Sequence, residues 1–431
     1  MTAECRFDEQ TSSYCPILDT KTLIEVSVME KADIIELPKA KEQEALEFLM
    51  KTGLTNAIID DITALGYAGE SRNKLLTYLI ITSRKMDKPL AGMVRGCSSA
   101  GKSQLVEMAI SLVPDDEKEV LTRATKQAFF YEDDLSHRVI YIREAAGCEE
   151  AAYAVRTLLS EKELKLKRTV GLGVQEFTVR GPVAYIETTA EESVENQLAN
   201  RVFEIWIDES EEHTREIHKL QREKYTLTGL ERSQHFQEIV DRHHTIQQLL
   251  KPLPVIIPYV TEIDFPSRLV RNRRDHQRFL DLISTSAFLH QFQRLHGQLD
   301  GQEYVEADMD DYGIAYWLMK PIIIKAVDDY ATKPRELLDG ICKMVMEKTG
   351  GHPYSIWKVI FTRSNLADYL GWTRRQVRTH IKELEELEAI EVVRGGRGRE
   401  YQYKLLRDPG QKAWHSKLLS PEELKQKLQN R

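Results

Sequence analysis

The chain has 431 residues and a formal charge of −8, with 42% hydrophobic and 30% charged residues. At roughly 100–200 residues per domain, this length allows about two to four domains. The composition is ordinary for a folded globular protein and excludes wholesale disorder, a collagen and a coiled-coil rod. The acidic balance also excludes a uniformly basic DNA coat, so any nucleic-acid binding has to come from a local basic patch.

Cysteine usage and hydropathy together indicate a location for the chain. Its five cysteines form no CxxC pair, which disfavours a zinc ribbon and a disulfide framework. No apolar run approaches ~18 residues, the length that a membrane helix needs. The N-terminal residues also lack the basic-then-apolar order of a signal peptide. We therefore predict a soluble cytoplasmic protein that has no membrane partner.

The spacing of apolar residues divides the chain into six predicted segments. The third segment alternates short apolar runs (91–94, 139–142, 183–186 and 203–207) with helical stretches, which is typical of an α/β domain with a mostly parallel sheet. The predicted segments are a tail or linker at 1–40 with one short strand at 24–28, a helical N-terminal segment at 41–88, the α/β core at 89–260, a helical lid or connector at 261–350, a helix-turn-helix domain at 351–410 and a helical tail at 411–431.

A phosphate-binding loop follows the first predicted strand of the core. Residues 96–103 read GCSSAGKS, a full G-x-x-x-x-G-K-S pattern between a predicted strand and a predicted helix at 103–112. Backbone N–H groups of such a loop surround phosphates, and the helix N-terminus adds partial positive charge. Lys102 can reach the β- and γ-phosphates, and the Ser103 hydroxyl can bind Mg²⁺. We predict that ATP and Mg²⁺ are bound by Gly96, Ser98, Ser99, Ala100, Gly101, Lys102 and Ser103.

An acidic residue ends the second apolar strand, 139–142. Glu144 emerges at its carboxyl end, the edge at which open α/β sheets bind ligands, and it could polarise the attacking water. The usual acidic pair has Asp before Glu, but this chain has Arg143 there. Asp133 or Asp134 could supply the missing carboxylate.

Two further residues extend the predicted site. The third strand ends at Thr188 and Thr189, and either hydroxyl could sense the γ-phosphate; Thr188 is our first candidate. Arg201 precedes the fourth strand and could reach the nucleotide of a neighbouring subunit, where an arginine stabilises transition-state charge.

The order of these parts resembles the ATPase core of AAA+ proteins, in particular the replicative-helicase (MCM) branch. In that branch a helix and a β-hairpin precede the sensor strand, and here 153–161 and 165–173 match them. The stretch 54–221 is similar to helicase-like modules that accompany DNA primases in bacterial and mobile-element genomes, which carry a TSR…GxSSxGKS pattern, here beginning at 82–84. The resemblance implies ATP sites between the subunits of a homo-oligomeric, hexameric ring, with a primase or other replication proteins as candidate partners.

The resemblance also implies two groups of basic residues with roles in this ring. Arg274, at the start of a predicted helix, is our candidate for a second sensor arginine at the nucleotide. Lys165, Lys167 and Arg168 on the hairpin could contact DNA phosphates in a central channel, independently of sequence. The alternative is a charged ribbon that faces solvent.

The C-terminal domain has the pattern of a winged helix-turn-helix. Residues 364–381 predict two helices joined at Gly371, with Thr373 capping the second. The second helix presents a basic face, as a recognition helix does, and a Gly-rich hairpin follows it. The residues that we expect to contact DNA are Arg374, Arg375, Arg378 and Lys382 on the helix, and Arg397 and Arg399 on the hairpin tip. Winged helices can also mediate protein contacts.

These patterns together predict an α/β P-loop protein that hydrolyses ATP, binds DNA and acts as a helicase-like motor in replication of a bacterial or mobile-element replicon. One alternative is a winged-helix DNA-binding regulator whose assembly ATP switches. Another is an AAA+ ATPase that remodels proteins. Histidines on the charged helices, His213, His218, His235, His243 and His244, have no metal-ligand spacing, and we expect them to be solvated.

Overall fold

The computed structural model describes most of the chain beyond the first 38 residues. The described residues are 39–98, 100–122, 134–144, 149–170, 173–190, 201–265, 272–328, 332–350, 358–386, 389–396, 399–406 and 418–430. The predicted strand at 24–28 lies outside them.

Three helices precede the sheet, as the apolar spacing of 41–88 predicts. They are α1 (Lys39–Leu49), α2 (Leu54–Ala64) and α3 (Ser71–Thr82). Ile58 and Ile62, one turn apart on α2, are buried in the same core as Leu79 of α3. This core continues onto one face of the sheet, so the helical segment and the α/β segment form one packed body.

The centre of this body is a five-stranded parallel sheet. Its strands are β1 (Ala91–Arg95), β2 (Lys118–Leu121), β3 (Arg138–Ile142), β6 (Val183–Thr189) and β7 (Phe203–Trp206), in the order β2-β3-β6-β1-β7 with every pairing parallel. Four of the five were predicted. The edge strand β2 was missed because it is short, charged and only partly buried, and so lacks the apolar run of a central strand.

Helices cover both faces of the sheet. The helix α4 (Lys102–Ser111) lies on the face that buries Val94, Tyr141 and Ile186, and α5 (Glu149–Glu161) lies on the opposite face with Ile140 and Tyr185. Strand side chains alternate between faces, so each central strand needs apolar residues at successive positions. This explains the continuous apolar runs of these strands.

A β-hairpin connects α5 to β6. Its strands, β4 (Glu163–Val170) and β5 (Gly173–Arg180), pair antiparallel over their full length and extend beyond the predicted hairpin at 165–173. Leu164 and Val179, at the base, are buried beside α5. The hairpin is therefore anchored at its base to the second core.

Three helices follow the sheet: α6 (Glu211–Glu223), α7 (Leu227–Gln234) and α8 (Phe236–Leu249). The helix α8 packs on α1, where Lys41 Nζ lies 2.9 Å from Asp241 Oδ2. The expectation that the histidines are solvated is wrong for His213 and His243, which are buried. His243 can be buried because each of its ring nitrogens has a polar partner. Nδ1 lies 2.9 Å from the Tyr78 hydroxyl, and Nε2 lies 3.0 Å from Oδ2 of Asp61.

The region predicted as a helical connector contains a second small sheet. Two long helices, α9 (Asn272–Leu289) and α10 (Met309–Asp328), are joined by the hairpin β9 (His296–Leu299) and β10 (Gln302–Glu306), which pairs with β8 (Val255–Ile256). An Asp-Gly turn with positive φ at both Asp300 (50°) and Gly301 (83°) closes the hairpin. The prediction that 261–350 is helical is therefore wrong for residues 296–306. Among the described residues, no helix is long and apolar enough to cross a membrane.

A third core forms near the C-terminus. It contains α11 (Thr332–Lys348), α12 (Arg363–Leu370) and α13 (Arg374–Glu386), with a sheet of β11 (Ile360–Thr362), β12 (Ile390–Gly396) and β13 (Arg399–Leu405). Because α11 buries Leu337 and Ile341 here, this unit begins before the predicted boundary at 351.

The last helix, α14 (Pro421–Gln429), returns to the first core. It starts with a capping box, in which Ser420 and Glu423 exchange side-chain-to-backbone hydrogen bonds. Leu424 is fully buried in the first core, and the Tyr312 hydroxyl of α10 donates to the Leu419 carbonyl at 2.6 Å.

A buried polar network joins the helices behind the sheet. The Arg84 side chain, fully buried, forms an ion pair with Glu117 and donates to Gln247 Oε1 of α8 at 2.7 Å. Gln247 in turn donates to the hydroxyls of Tyr78 and Thr82. The TSR pattern at 82–84 thus ties α3 to α8 and to the turn before β2, which is a structural role.

Replacing Arg84 by Met is expected to lower the free energy of unfolding by about 3 kcal/mol, because it leaves Glu117 and Gln247 without their buried partner. Urea unfolding followed by circular dichroism measures the change. The matched control is Lys41→Met, which removes an ion pair that is half exposed and should cost less than about 1 kcal/mol. Equal effects of the two substitutions would contradict the structural role of the network.

Candidate nucleotide-binding site

The carboxyl ends of three neighbouring strands meet at one edge of the sheet. Ile142 pairs with Glu187, and Thr189 pairs with Arg95. Counting along this register, Glu144 lies level with Thr189 on the next strand and with Arg95 on the one after it. Strands are spaced about 4.8 Å apart, so Glu144 lies about 10 Å from the end of β1. This separation leaves room for a phosphate group between them.

The loop at 96–101 leaves β1 at this edge and leads into α4. Gly101 has φ 90°, a left-handed conformation that glycine adopts without strain. Lys102 Nζ donates to the carbonyls of Gly96 at 2.8 Å and Cys97 at 2.5 Å. The lysine therefore folds back over its own loop, at the position from which it can turn towards phosphate oxygens. Ser99 lies outside the described residues.

A carboxylate from the segment after the edge strand β7 also holds this loop. Cys97 N–H donates to Glu209 Oε1 at 2.5 Å. Glu209 lies between β7 and α6, so the start of the loop is tied to the segment that leads into the exposed helices α6 and α7. Sequence reasoning missed Glu209, because its contact depends on β7 lying beside β1.

The two residues after β3 have different surroundings. Glu144 is exposed, at the edge described above. The Arg143 main chain is held on both sides, since its N–H donates to Leu121 O at 2.9 Å and its carbonyl accepts from the Thr188 hydroxyl. The Arg143 side chain forms an ion pair with Glu107 of α4, with Nε 3.4 Å from Oε1.

Two hydroxyl groups lie beneath this edge on the α4 face. Thr188 is buried within β6, where its donation to Arg143 joins two strands. The Tyr141 hydroxyl is buried without a well-formed hydrogen bond among the described residues, and the hydroxyls of Ser103 and Thr188 are its polar neighbours. Burial raises the pKa of Tyr141 to about 12, so it remains a protonated donor. Sequence reasoning missed Tyr141 because a buried aromatic in a strand usually serves only packing.

Of the two positions at this edge where a magnesium ligand is expected, one carries a suitable oxygen. The Ser103 hydroxyl is exposed on the first turn of α4, where an oxygen ligand for Mg²⁺ is expected. The strand-end position on the same face carries the cation Arg143 instead of a carboxylate. Asp134 cannot supply this carboxylate, because it lies before β3, at the opposite end of the strand. Its backbone forms a β-bridge with Arg180 there. Asp133 lies outside the described residues.

The two predicted arginines lie away from the loop of their own chain. Arg201 is exposed and donates to Ser160 Oγ at the end of α5, at 2.9 Å. Because Phe203 pairs with Gly92, Arg201 lies level with residue 90, about 20 Å before Gly96 along the sheet. It therefore cannot reach its own phosphate loop. Arg274 is exposed on the first turn of α9, and its role stays a prediction.

The C-terminal unit presents a basic surface. Thr373 and Gln376 form a reciprocal cap at the start of α13, and Val377 and Ile381 are buried against α11 and α12. The opposite face carries four exposed cations: Arg374, Arg375, Arg378 and Lys382.

An open groove of about 720 Å³ lies between this surface and the hairpin. Three arginines and one glutamate line it, so its charge is net positive. Its lining residues are Thr362, Arg363, Ser364, Asn365, Arg374, Arg378 and Glu400. Of the predicted hairpin-tip residues, Arg397 and the side chain of Arg399 lie outside the described part of the chain.

The hairpin β4–β5 carries the remaining basic residues. Lys165 is exposed and lies 3.0 Å from Glu163 on the same strand. The backbone of Lys167 and Arg168 belongs to β4, but their side chains lie outside what the structure describes. The hairpin's role in binding DNA stays a prediction.

Comparison with known proteins agrees with the geometry of the loop. Residues 36–248 match a family model described as the MTBMA_p00010 P-loop domain. The match starts just before α1 and ends within α8, two helices that pack against each other. No curated protein matches the chain. The chain therefore carries a P-loop domain, a class that binds nucleotides.

Replacing Lys102 by Ala is expected to weaken ATP binding by at least about tenfold, because the phosphates lose a charged hydrogen-bond donor. Titration with a fluorescent ATP analogue measures the affinity. The matched control is Lys88→Ala, an exposed lysine before the other end of β1, which should leave binding unchanged. Binding of ATP by the Lys102 variant at the level of the control would exclude the loop as the phosphate site.

Proposed function

We propose that the chain is an ATP-hydrolysing, DNA-binding motor of the helicase-like AAA+ branch, acting in DNA replication. The observation that carries the proposal is the insertion of α5 and the hairpin β4–β5 between the glutamate-bearing strand β3 and the sensor strand β6 of a P-loop sheet. The base of this hairpin lies beside the start of β6, at the end of the sheet opposite to the phosphate loop. We propose that the hairpin transmits the state of the nucleotide site to DNA.

The order of strands supports hydrolysis as well as binding. With β6 between β1 and β3, Glu144 lies at the same edge of the sheet as the phosphate loop, one strand away from it, and it is our candidate for activating a water molecule. Thr188, on that intervening strand, is our candidate for sensing the terminal phosphate. Ser103 would hold Mg²⁺, which stabilises negative charge on the phosphates during transfer.

Movement of the hairpin is the proposed link to DNA. Its base packs against α5 through Leu164 and Val179. The strand that follows the hairpin, β6, carries Thr188 and pairs with β3, which Glu144 follows. Lys165, Lys167 and Arg168 on β4 would contact the phosphates of DNA, which carry no base information.

The position of Arg201 favours assembly into a ring. An exposed arginine that lies about 20 Å from its own phosphate loop does not reach the nucleotide of its own chain, and we propose that it contacts the nucleotide of a neighbouring copy. Arg274 would complete the site as a second sensor. A hexamer is the assembly that we propose, and a primase is a candidate partner.

The C-terminal unit supports a second contact with DNA. Its order of elements is α11-β11-α12-α13-β12-β13, with β13 central in the sheet, and this order supports our proposal that the unit is a winged helix. The helix α13 would be the recognition helix, with its exposed cations towards DNA and Arg397 and Arg399 on the wing.

A second candidate function rests on Arg143. A cation in place of the usual aspartate disfavours the magnesium arrangement of fast hydrolases, which favours a DNA-binding regulator that ATP only switches. A motor and a regulator differ in their response to DNA, and the following experiments separate them.

The motor hypothesis predicts that single-stranded or forked DNA of any sequence raises steady-state ATP hydrolysis several-fold, because hairpin and site move together. Replacing Glu144 by Gln should abolish turnover while ATP binding persists, since the amide cannot take up a proton from water. The control is Glu119→Gln on the edge strand β2. Turnover that neither DNA nor the Glu144 substitution changes would contradict the motor.

Replacing both Arg375 and Arg378 by Ala is expected to weaken DNA binding to all sequences alike. Each lost phosphate contact should reduce the slope of log affinity against log salt by about 0.9, hence by about 1.8 for the pair. Fluorescence anisotropy at several salt concentrations measures the slope. Arg215 and Lys219, exposed on α6, form the control pair. An unchanged slope would exclude this face as the DNA contact, and a loss restricted to one sequence would favour the regulator.

A further inference from the structure

The side chain of Arg143 lies on the face of the sheet that α4 covers. Tyr141 and Arg143 are two residues apart and therefore point to the same face. Tyr141 lies beside the Ser103 hydroxyl, and Arg143 Nε lies 3.4 Å from Oε1 of Glu107, one helical turn after Ser103 on α4. The guanidinium thus lies beside the second turn of the helix whose N-terminus ends the phosphate loop.

The backbone of Arg143 is fixed, whereas its side chain can move. Hydrogen bonds from β6 and to β2 hold its main chain in place. The side chain is 48% exposed, and that of its partner Glu107 is 41% exposed. An ion pair this exposed contributes little to stability. Arg143 can therefore leave Glu107 for a stronger partner without disturbing the fold.

A nucleotide phosphate is such a partner. The planar guanidinium donates two parallel hydrogen bonds to phosphate oxygens, and a terminal phosphate carries more negative charge than one carboxylate. A cation at this position also repels a nearby metal ion, so it weakens magnesium binding on this side of the site.

We propose that Arg143 is a phosphate-binding residue of this chain, which exchanges Glu107 for the terminal phosphate of ATP and supplies part of the positive charge that magnesium usually supplies. The proposal deepens the proposed function and rests on it, because it assumes that ATP binds at the loop. It predicts a nucleotide site whose affinity depends only weakly on magnesium, and in which Glu107 competes with the ligand.

The test is a titration of the full chain with a fluorescent ATP analogue, in excess Mg²⁺ and in excess EDTA. The wild type should bind in both. In EDTA, Arg143→Gln should bind at least about tenfold more weakly than the wild type, the loss expected for a charged hydrogen bond. Glu107→Gln should bind more tightly, and Arg143→Asp should bind in Mg²⁺ and fail in EDTA.

The control is Arg138→Gln, which removes an arginine at the opposite end of the same strand and should match the wild type in both conditions. Circular dichroism confirms that each variant is folded. Wild-type binding that disappears in EDTA, or Arg143→Gln binding equal to the wild type there, would overturn the proposal while leaving ATP binding at the loop intact. Failure of the wild type to bind in either condition would overturn the nucleotide site itself.

Discussion

The parallel register of β1, β6 and β3 is the constraint on which the site depends. The phosphate loop, Thr188 and Glu144 come from three different parts of the chain, and only hydrogen bonding of these strands in one register brings them to one edge. A shift of one residue would turn each side chain to the opposite face of the sheet. Close packing of the strand side chains against the helices on both faces opposes such a shift.

The sequence predicts those parts of the site that local patterns determine. The phosphate loop could be predicted because its glycines, lysine and serine act within eight consecutive residues. The hairpin after α5 could be predicted from its resemblance to a family. Tyr141 and Glu209 could not, because their positions depend on which strands are neighbours. The hairpin β9–β10 was missed although Asp300-Gly301 is a strong turn signal, since the helical spacing on either side obscured it.

Charge is distributed unevenly over this acidic chain. Exposed cations gather on α13 of the C-terminal unit, whereas the exposed helices α6 and α7 alternate acidic and basic residues along their length. Ions in solution screen exposed charges beyond about 10 Å, so the net charge of −8 does not oppose an anionic ligand at a local basic surface. Two cations and two anions also lie near the phosphate loop, where Arg143 pairs with Glu107, and Lys102 and Glu209 each hydrogen-bond to the loop backbone.

The chain returns to the first core at α14 after it has formed the C-terminal unit. Met319 of α10, before this unit, and Leu424 of α14, after it, are both buried in the first core. The unit is therefore tethered to one body at both of its ends, so its distance from that body is limited by two lengths of chain and not by one.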